Sequence, residues 1–277
     1  MVNHSLLVPT VSAKISPKEY DVISHYANSC GDTVSNLIRK VLISEATFLH
    51  GFGGSKEVFL GNLLQGMLAG ILILAFLNLF LLLFGVYQIK PNLDYFWSNL
   101  FLIIIKAILA GLVIGFIEES IFRGALFSSL YKKTGAVVTV TLTSLVYAAV
   151  HFLKYRALPE GTEITWVTGM EILPEAFFRF SDPNIIDHFL TLLVLGVLLS
   201  MVRIRNGNIA MCIGIHAGIV MTMKVTGRFS DYMPGSQFDF LVSRYDHMLG
   251  YLSLVWLLVL AIVYWRMFLA RKFLTGQ

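Results

Sequence analysis

An all-α bundle of about six transmembrane helices, preceded by a small strand–helix–helix domain, is the fold class that the sequence predicts. Three observations predict it. Hydrophobic residues make up 56% of the 277-residue chain and charged residues 14%, where a soluble domain carries nearer a quarter. The apolar residues gather into runs long enough to cross a hydrocarbon core. The first of these runs begins only near Val58, after a stretch of mixed polar and apolar character. The net charge of +4 suits lysines and arginines collected at membrane faces. Cys30 and Cys212 lie in different kinds of segment, so no disulfide is expected, and neither has metal-ligand spacing.

Residues 1–50 read as a cytoplasmic domain, 51–57 as a glycine-rich linker and 58–277 as the membrane domain. Val11 to Ile15 alternates as a strand does. Ser16 suits an N-cap and Pro17 a first helical turn. Gly31 ends that helix, and a second begins at Asp32-Thr33-Val34. This order resembles a ribbon-helix-helix domain, which implies a homodimer with the two strands paired and Thr10, Ser12 and Lys14 facing outward. Such ribbons can bind DNA. The charges argue otherwise, because Lys14, Lys18, Arg39 and Lys40 are balanced by Glu19, Asp21, Asp32 and Glu45. A DNA binder shows a basic footprint, so dimerisation or protein contact is the favoured role.

The expected spans are 58–88, 96–131, 135–153, 186–203, 208–225 and 247–270. The first two exceed the ~20 residues a span needs and must tilt or project. The loop Lys154–Asp187 carries Pro159, Pro174 and Pro183 with Trp166, Phe177 and Phe178, which suits an interfacial segment or lid. The loop Thr226–Asp246 is also polar and aromatic. Small residues recur four apart at Gly66/Gly70, Gly111/Gly115 and Gly214/Gly218, a spacing that lets membrane helices approach closely. Lys132/Lys133, Arg203/Arg205 and Arg266/Arg271/Lys272 fall on one side of a six-span arrangement, which places both termini in the cytoplasm.

The chemistry gathers at Glu118-Glu119-Ser120-Ile121-Phe122-Arg123-Gly124, inside one of the most apolar stretches. A charge at the bilayer centre costs about 2.5–3.5 kcal/mol on insertion scales. Glu119 and Arg123 are i,i+4, so they can pair on one helix face. Glu118 is rotated about 100° away and needs a partner from another helix, a water or a proton. His151 and His216 end or interrupt other apolar runs. At the helical rise, Glu119, His151 and His216 lie about 20, 24 and 12 Å from the same face. His188 starts its span from the opposite face and reads as interfacial. A carboxylate, two imidazoles and an arginine at mid-depth can activate a water, since a glutamate in a dry site can take its proton and an imidazole can donate to an oxyanion. A buried network that only fixes helix register is the bland alternative. Zinc held by Glu and two His is another, although the HExxH spacing is absent. A proton-coupled carrier is a third.

These residues resemble the CPBP family of intramembrane proteases, also called the type II CAAX prenyl endopeptidase or Abi family. Glu118-Glu119-x-x-x-Arg123 matches its EExxxR motif. Tyr147-x-x-x-His151 matches FxxxH with tyrosine for phenylalanine. His216 matches the start of HxxxN, but Val220 stands where Asn or Asp is usual. The match covers roughly residues 95–225. The resemblance implies a multi-pass enzyme of a bacterial inner membrane, a glutamic-type endopeptidase with no metal or cofactor. It would hydrolyse a peptide bond of a membrane-associated protein or peptide. Glu118 would activate water, His151 would assist, Glu119 and Arg123 would support the site, and His216 would form part of the oxyanion hole. The valine leaves a catalytically silent scaffold of the same fold as the competing reading.

Overall fold

The computed structural model describes residues 17–29, 31, 33–35, 56–153, 165, 167–168 and 174–269. The chain divides into two compact units, Met1–Leu49 and His50–Gln277. In the first, helix α1 spans Pro17–Ser29. Gly31 adopts φ 67° and donates its N–H to the Asn28 carbonyl at 3.1 Å, so the helix closes where the glycine predicts. The expected strand with Thr10, Ser12 and Lys14, the Ser16 cap, most of the second helix and residues 51–55 of the linker lie outside the described residues.

The second unit is a membrane-type helix bundle. Helix α2 spans Lys56–Leu83, strand β1 Tyr87–Ile89 and the short helix α3 Asp94–Ser98. Helix α4, Leu100–Glu119, runs through a π-helical turn at Ser120–Leu126 into α5, Phe127–Thr134. Then come α6, Ala136–Val150, α7, Ile186–Asn206, and α8, Ala210–Phe229. Strand β2, Ser230–Tyr232, precedes α9, Tyr251–Tyr264. Five stretches are long and apolar enough to cross a membrane: Glu57–Leu83, Leu100–Thr134, Pro183–Asn206, Ala210–Phe229 and Tyr251–Phe268. The sixth expected span, α6, has 15 residues, about 22 Å at the helical rise. Leu64, Leu68, Leu72, Leu109, Val113 and Phe116 face outward, as lipid-facing side chains must. The chain is an integral, multi-pass membrane protein.

The first span stops five residues short of the expected Gln88, and the backbone shows why. Gly85 sits at φ 67°, its N–H bonds the Leu82 carbonyl at 3.1 Å, and Val86 N–H bonds the Leu81 carbonyl at 2.9 Å. That pattern is a Schellman stop. The freed chain forms β1, which pairs antiparallel with β2 through Tyr87↔Tyr232, Gln88↔Asp231 and Ile89↔Ser230. This two-stranded ribbon is an addition to the expected all-α architecture. Polar backbone groups there find partners in each other once the helix has ended.

Helix α8 lies at the centre, against α2 on one side and α4 on the other, and the residues from Ala210 to Ile219 are almost all buried. Glycines make the close approach. A Cβ at Gly66 would strike the Met211 carbonyl oxygen, and one at Gly70 that of Ile215. On α8, a Cβ at Gly214 would strike the Leu63 carbonyl and one at Gly218 that of Met67. Gly111 and Gly115 bring α4 against Ala217 and Ile213 in the same way. All three glycine pairs seen in the sequence therefore serve one helix, α8. Helix α6 packs on α7, and α7 on α9.

Gly70→Ala and Gly214→Ala should each destabilise the bundle by about 1–3 kcal/mol, the usual range for overpacking. Gly61→Ala should be neutral or stabilising, since nothing lies within 4 Å of its Cβ position. Thermal unfolding of the detergent-solubilised protein checks both outcomes.

Candidate active site

The site is built from α4 and its π-helical turn, α6, α7 and α8. Arg123 Nη1 donates to Glu119 Oε1 at 3.1 Å, and both side chains are fully buried. Arg123 Nη2 donates to the Gly196 carbonyl of α7 at 3.2 Å. The guanidinium also lies over the Tyr147 ring, 4.3 Å from its centroid, a contact that strengthens when dry. Arginine can do all of this at once because its planar fork presents several donors while its face stacks.

The π-helical turn begins at Ser120, directly after Glu119. Phe127 N–H reaches back to the Phe122 carbonyl, and the Arg123 carbonyl accepts from Arg203 Nε at 3.2 Å. Turns of this kind widen a helix and often accompany functional residues. Here the turn holds Arg123 in the core between Tyr147 and Gly196.

Glu119 has a second partner: His216 Nδ1 donates to Glu119 Oε1 at 2.9 Å. A carboxylate already paired with arginine offers only acceptor capacity, so Nδ1 carries the proton and Nε2 faces the other acid. That nitrogen is 3.8 Å from Glu118 Oε2. His151 closes the set. Its Nδ1 lies 2.7 Å from the Tyr147 carbonyl and donates to it, leaving Nε2 3.6 Å from the same Glu118 oxygen. Glu118 and His151 each keep 27% side-chain exposure, whereas Glu119 keeps none. Glu118 Oε2 has no hydrogen-bond partner of its own among the described residues. Both imidazole nitrogens stand just outside direct hydrogen-bond range of it. Polar gaps of this size are commonly bridged by a water or by a polar substrate atom.

The structure thus brings Glu118, Glu119, Arg123, His151 and His216 together, from three separate helices. His188 lies on the first turn of α7, with its side chain buried 3.3 Å from Asp246 Oδ2 of the loop that precedes α9. Val220 lies one turn beyond His216 on α8. Reasoning from sequence missed the Gly196 carbonyl and Arg203, for which the sequence carries no signal. The Tyr147 ring had one: an aromatic four residues before a histidine in an apolar run. Between α6 and α7 runs an apolar groove of about 660 Å³ lined by Leu145, Val146, Ala149, Phe180, Ile186 and Phe189. Its lining ends at Ala149, two residues before His151. Trp166 and most of the expected lid lie outside the described residues, and the described part, Pro174–Ser181, is a 3₁₀ segment.

Residues 97–222 match the family model described as type II CAAX prenyl endopeptidase Rce1-like. No curated protein and no solved structure matches the chain.

Arg123→Leu should destabilise the fold by about 3–5 kcal/mol, because it leaves the buried Glu119 carboxylate without its arginine, held by the His216 hydrogen bond alone. Arg123→Leu combined with Glu119→Gln should recover a large part of that loss. A double-mutant cycle on the melting temperature in detergent reads the coupling.

Proposed function

From the premise that residues 97–222 form a type II CAAX prenyl endopeptidase Rce1-like domain, we propose that this membrane protein is a glutamic-type intramembrane endopeptidase. Its substrate is a peptide or membrane-associated protein reached from the bilayer. One observation carries the catalytic reading: Glu118 Oε2, partly exposed, has two imidazole Nε2 atoms at 3.6 and 3.8 Å.

The proton inventory supports an assignment of roles. His151 spends its Nδ1 proton on the Tyr147 carbonyl, so its Nε2 is an acceptor in the neutral ring. Glu118 as a carboxylate is also an acceptor. A water between them donates one hydrogen to each and presents its lone pairs to a carbonyl carbon. As the oxygen attacks, Glu118 takes one proton, and the substrate carbonyl becomes an oxyanion. His216 Nε2 stabilises that oxyanion when the ring carries both protons. The C–N bond then breaks as the proton held by Glu118 passes to the amine nitrogen. The products are a carboxylic acid and an amine, the sum of peptide and water. General acid–base catalysis of this kind contributes about 10²–10⁴-fold. Glu119 and Arg123 act as the fixed frame that presents His216. The groove between α6 and α7 offers the apolar part of a substrate a place beside His151.

Val220 supports a second reading, a silent relative acting as a scaffold, since the usual amide donor is missing there. A lost oxyanion donor costs about 2.7–4 kcal/mol, which slows turnover without abolishing it. For the N-terminal unit, the balanced charge of residues 1–50 supports a role in homodimer or protein contact rather than DNA binding.

Glu118→Gln and His151→Ala should each reduce cleavage of an internally quenched CAAX peptide by about 10²-fold or more, with folding intact. Wild-type rates in both variants would refute the assignment. Val220→Asn should preserve or raise the rate, and wild-type protein inert beside an active Val220→Asn form would establish the silent reading. A chelator should leave turnover unchanged.

A further inference from the structure

A second buried constellation lies next to the first and has no part in the chemistry above. His188, on the first turn of α7, is 7% exposed, and its Nδ1 lies 3.3 Å from Asp246 Oδ2. The carboxylate is oriented from its own loop: Asp246 Oδ1 accepts from Met248 N–H at 2.9 Å and Leu249 N–H at 3.0 Å. Burial works to raise the Asp246 carboxyl, but His188 and those two N–H groups outweigh it and hold it below the usual range. The loop is clasped to the same helix at two more points. Ser243 donates to Asp187 Oδ1 at 2.8 Å, and Thr191 donates to the Gly250 carbonyl at 3.2 Å. A third tie comes from Tyr87, whose hydroxyl donates to the His247 carbonyl at 2.9 Å.

The His188 ring is not only a charge partner. It stands nearly perpendicular to Phe152 at 5.4 Å and to Tyr245 at 5.2 Å. Phe152 is fully buried, with Phe180, Phe189 and Tyr245 also around its ring at 5.3–6.4 Å. Phe152 is the residue after His151, in the turn that ends α6, where Phe152 N–H bonds the Ala149 carbonyl at 3.0 Å. Among the described residues the His151 ring has one hydrogen bond, to Tyr147 on its own helix. A caged aromatic as next neighbour therefore anchors the backbone beside His151 at the end of α6.

We propose that His188 and Asp246 are a positioning pair for His151: by locking the loop 242–250 against Phe152 they fix the distance from His151 Nε2 to Glu118 Oε2. This rests on the reading that His151 works at Glu118. The pair touches no reacting atom. Its effect is geometric, and a misplacement of about 1 Å at a catalytic group can cost about 10²-fold.

The test uses the full chain in detergent with ¹⁵N-labelled histidine. His151 ring resonances are assigned by their loss in His151→Gln. Asp246→Asn and His188→Phe, the latter keeping an aromatic ring, should each shift the His151 ring signals. Ser236→Ala, which removes a contact with the Phe84 carbonyl just ahead of that loop, should not. With the quenched CAAX peptide, kcat should fall about 10- to 100-fold in Asp246→Asn and His188→Phe with KM unchanged. The double variant should be no slower than the slower single. Unmoved His151 signals, signals that move with kcat intact, a KM effect alone, or strictly additive losses would each overturn the proposal. The ring signals report positioning whether or not the protein cleaves, so they separate this failure from failure of His151→Ala to affect turnover.

Discussion

Burying Arg123 and Glu119 without any exposure is the constraint from which most of the membrane unit follows. A charge pair in an apolar bundle is tolerated only when its remaining donors and acceptors are satisfied, because desolvation otherwise exceeds the Coulombic gain. The guanidinium consequently recruits a carbonyl from α7 and a ring face from α6. The carboxylate recruits an imidazole from α8. Four helices are thereby tied to one ion pair, and their register leaves little latitude. The glycines of α2, α4 and α8 are the complementary condition, since only their bare backbones let α8 come near enough to present His216.

Two adjacent carboxylates end up in opposite states. Glu119 is fully buried and its Oε1 is held by both Arg123 and His216, which ties it to the frame. Glu118, one residue earlier and about 100° around the helix, is left partly open and faced by two imidazole nitrogens. Placing two like groups in unlike surroundings is the usual way a site separates a structural acid from a reactive one. The polar loop before α9 packs Tyr245 on Phe152, the neighbour of His151 in sequence, and ties Ser243 and Asp246 to Asp187 and His188 of α7.

The site was largely legible beforehand for a simple reason. Ionisable residues in hydrocarbon are so costly that each one present is informative, and helical rise converts its sequence position into depth. Glu118, Glu119, Arg123, His151 and His216 could be placed on that basis. The same argument put His188 near a helix end but gave no sign of the loop that packs over it, because depth measured along a helix says nothing about a loop folding over its end. It also missed the π-helical turn after Glu119, which breaks the regular periodicity on which the estimate relies. The early stop of α2 came from Gly85 entering the left-handed region. A glycine in an apolar run gives no local sign of whether it will do that or pack against a neighbour, as Gly66 and Gly70 do.

Sequence alone determined that the chain crosses a membrane several times, and which charged and imidazole side chains had to meet there, because hydrophobicity and burial cost are properties of the residues themselves. Tertiary structure decided which nitrogen of each histidine faces Glu118, that Tyr147 and Gly196 complete the arginine's surroundings, and that a loop remote in sequence packs on Phe152, the neighbour of His151. Those outcomes depend on distances of a few ångströms between segments joined only through packing, and no local pattern of residues encodes them.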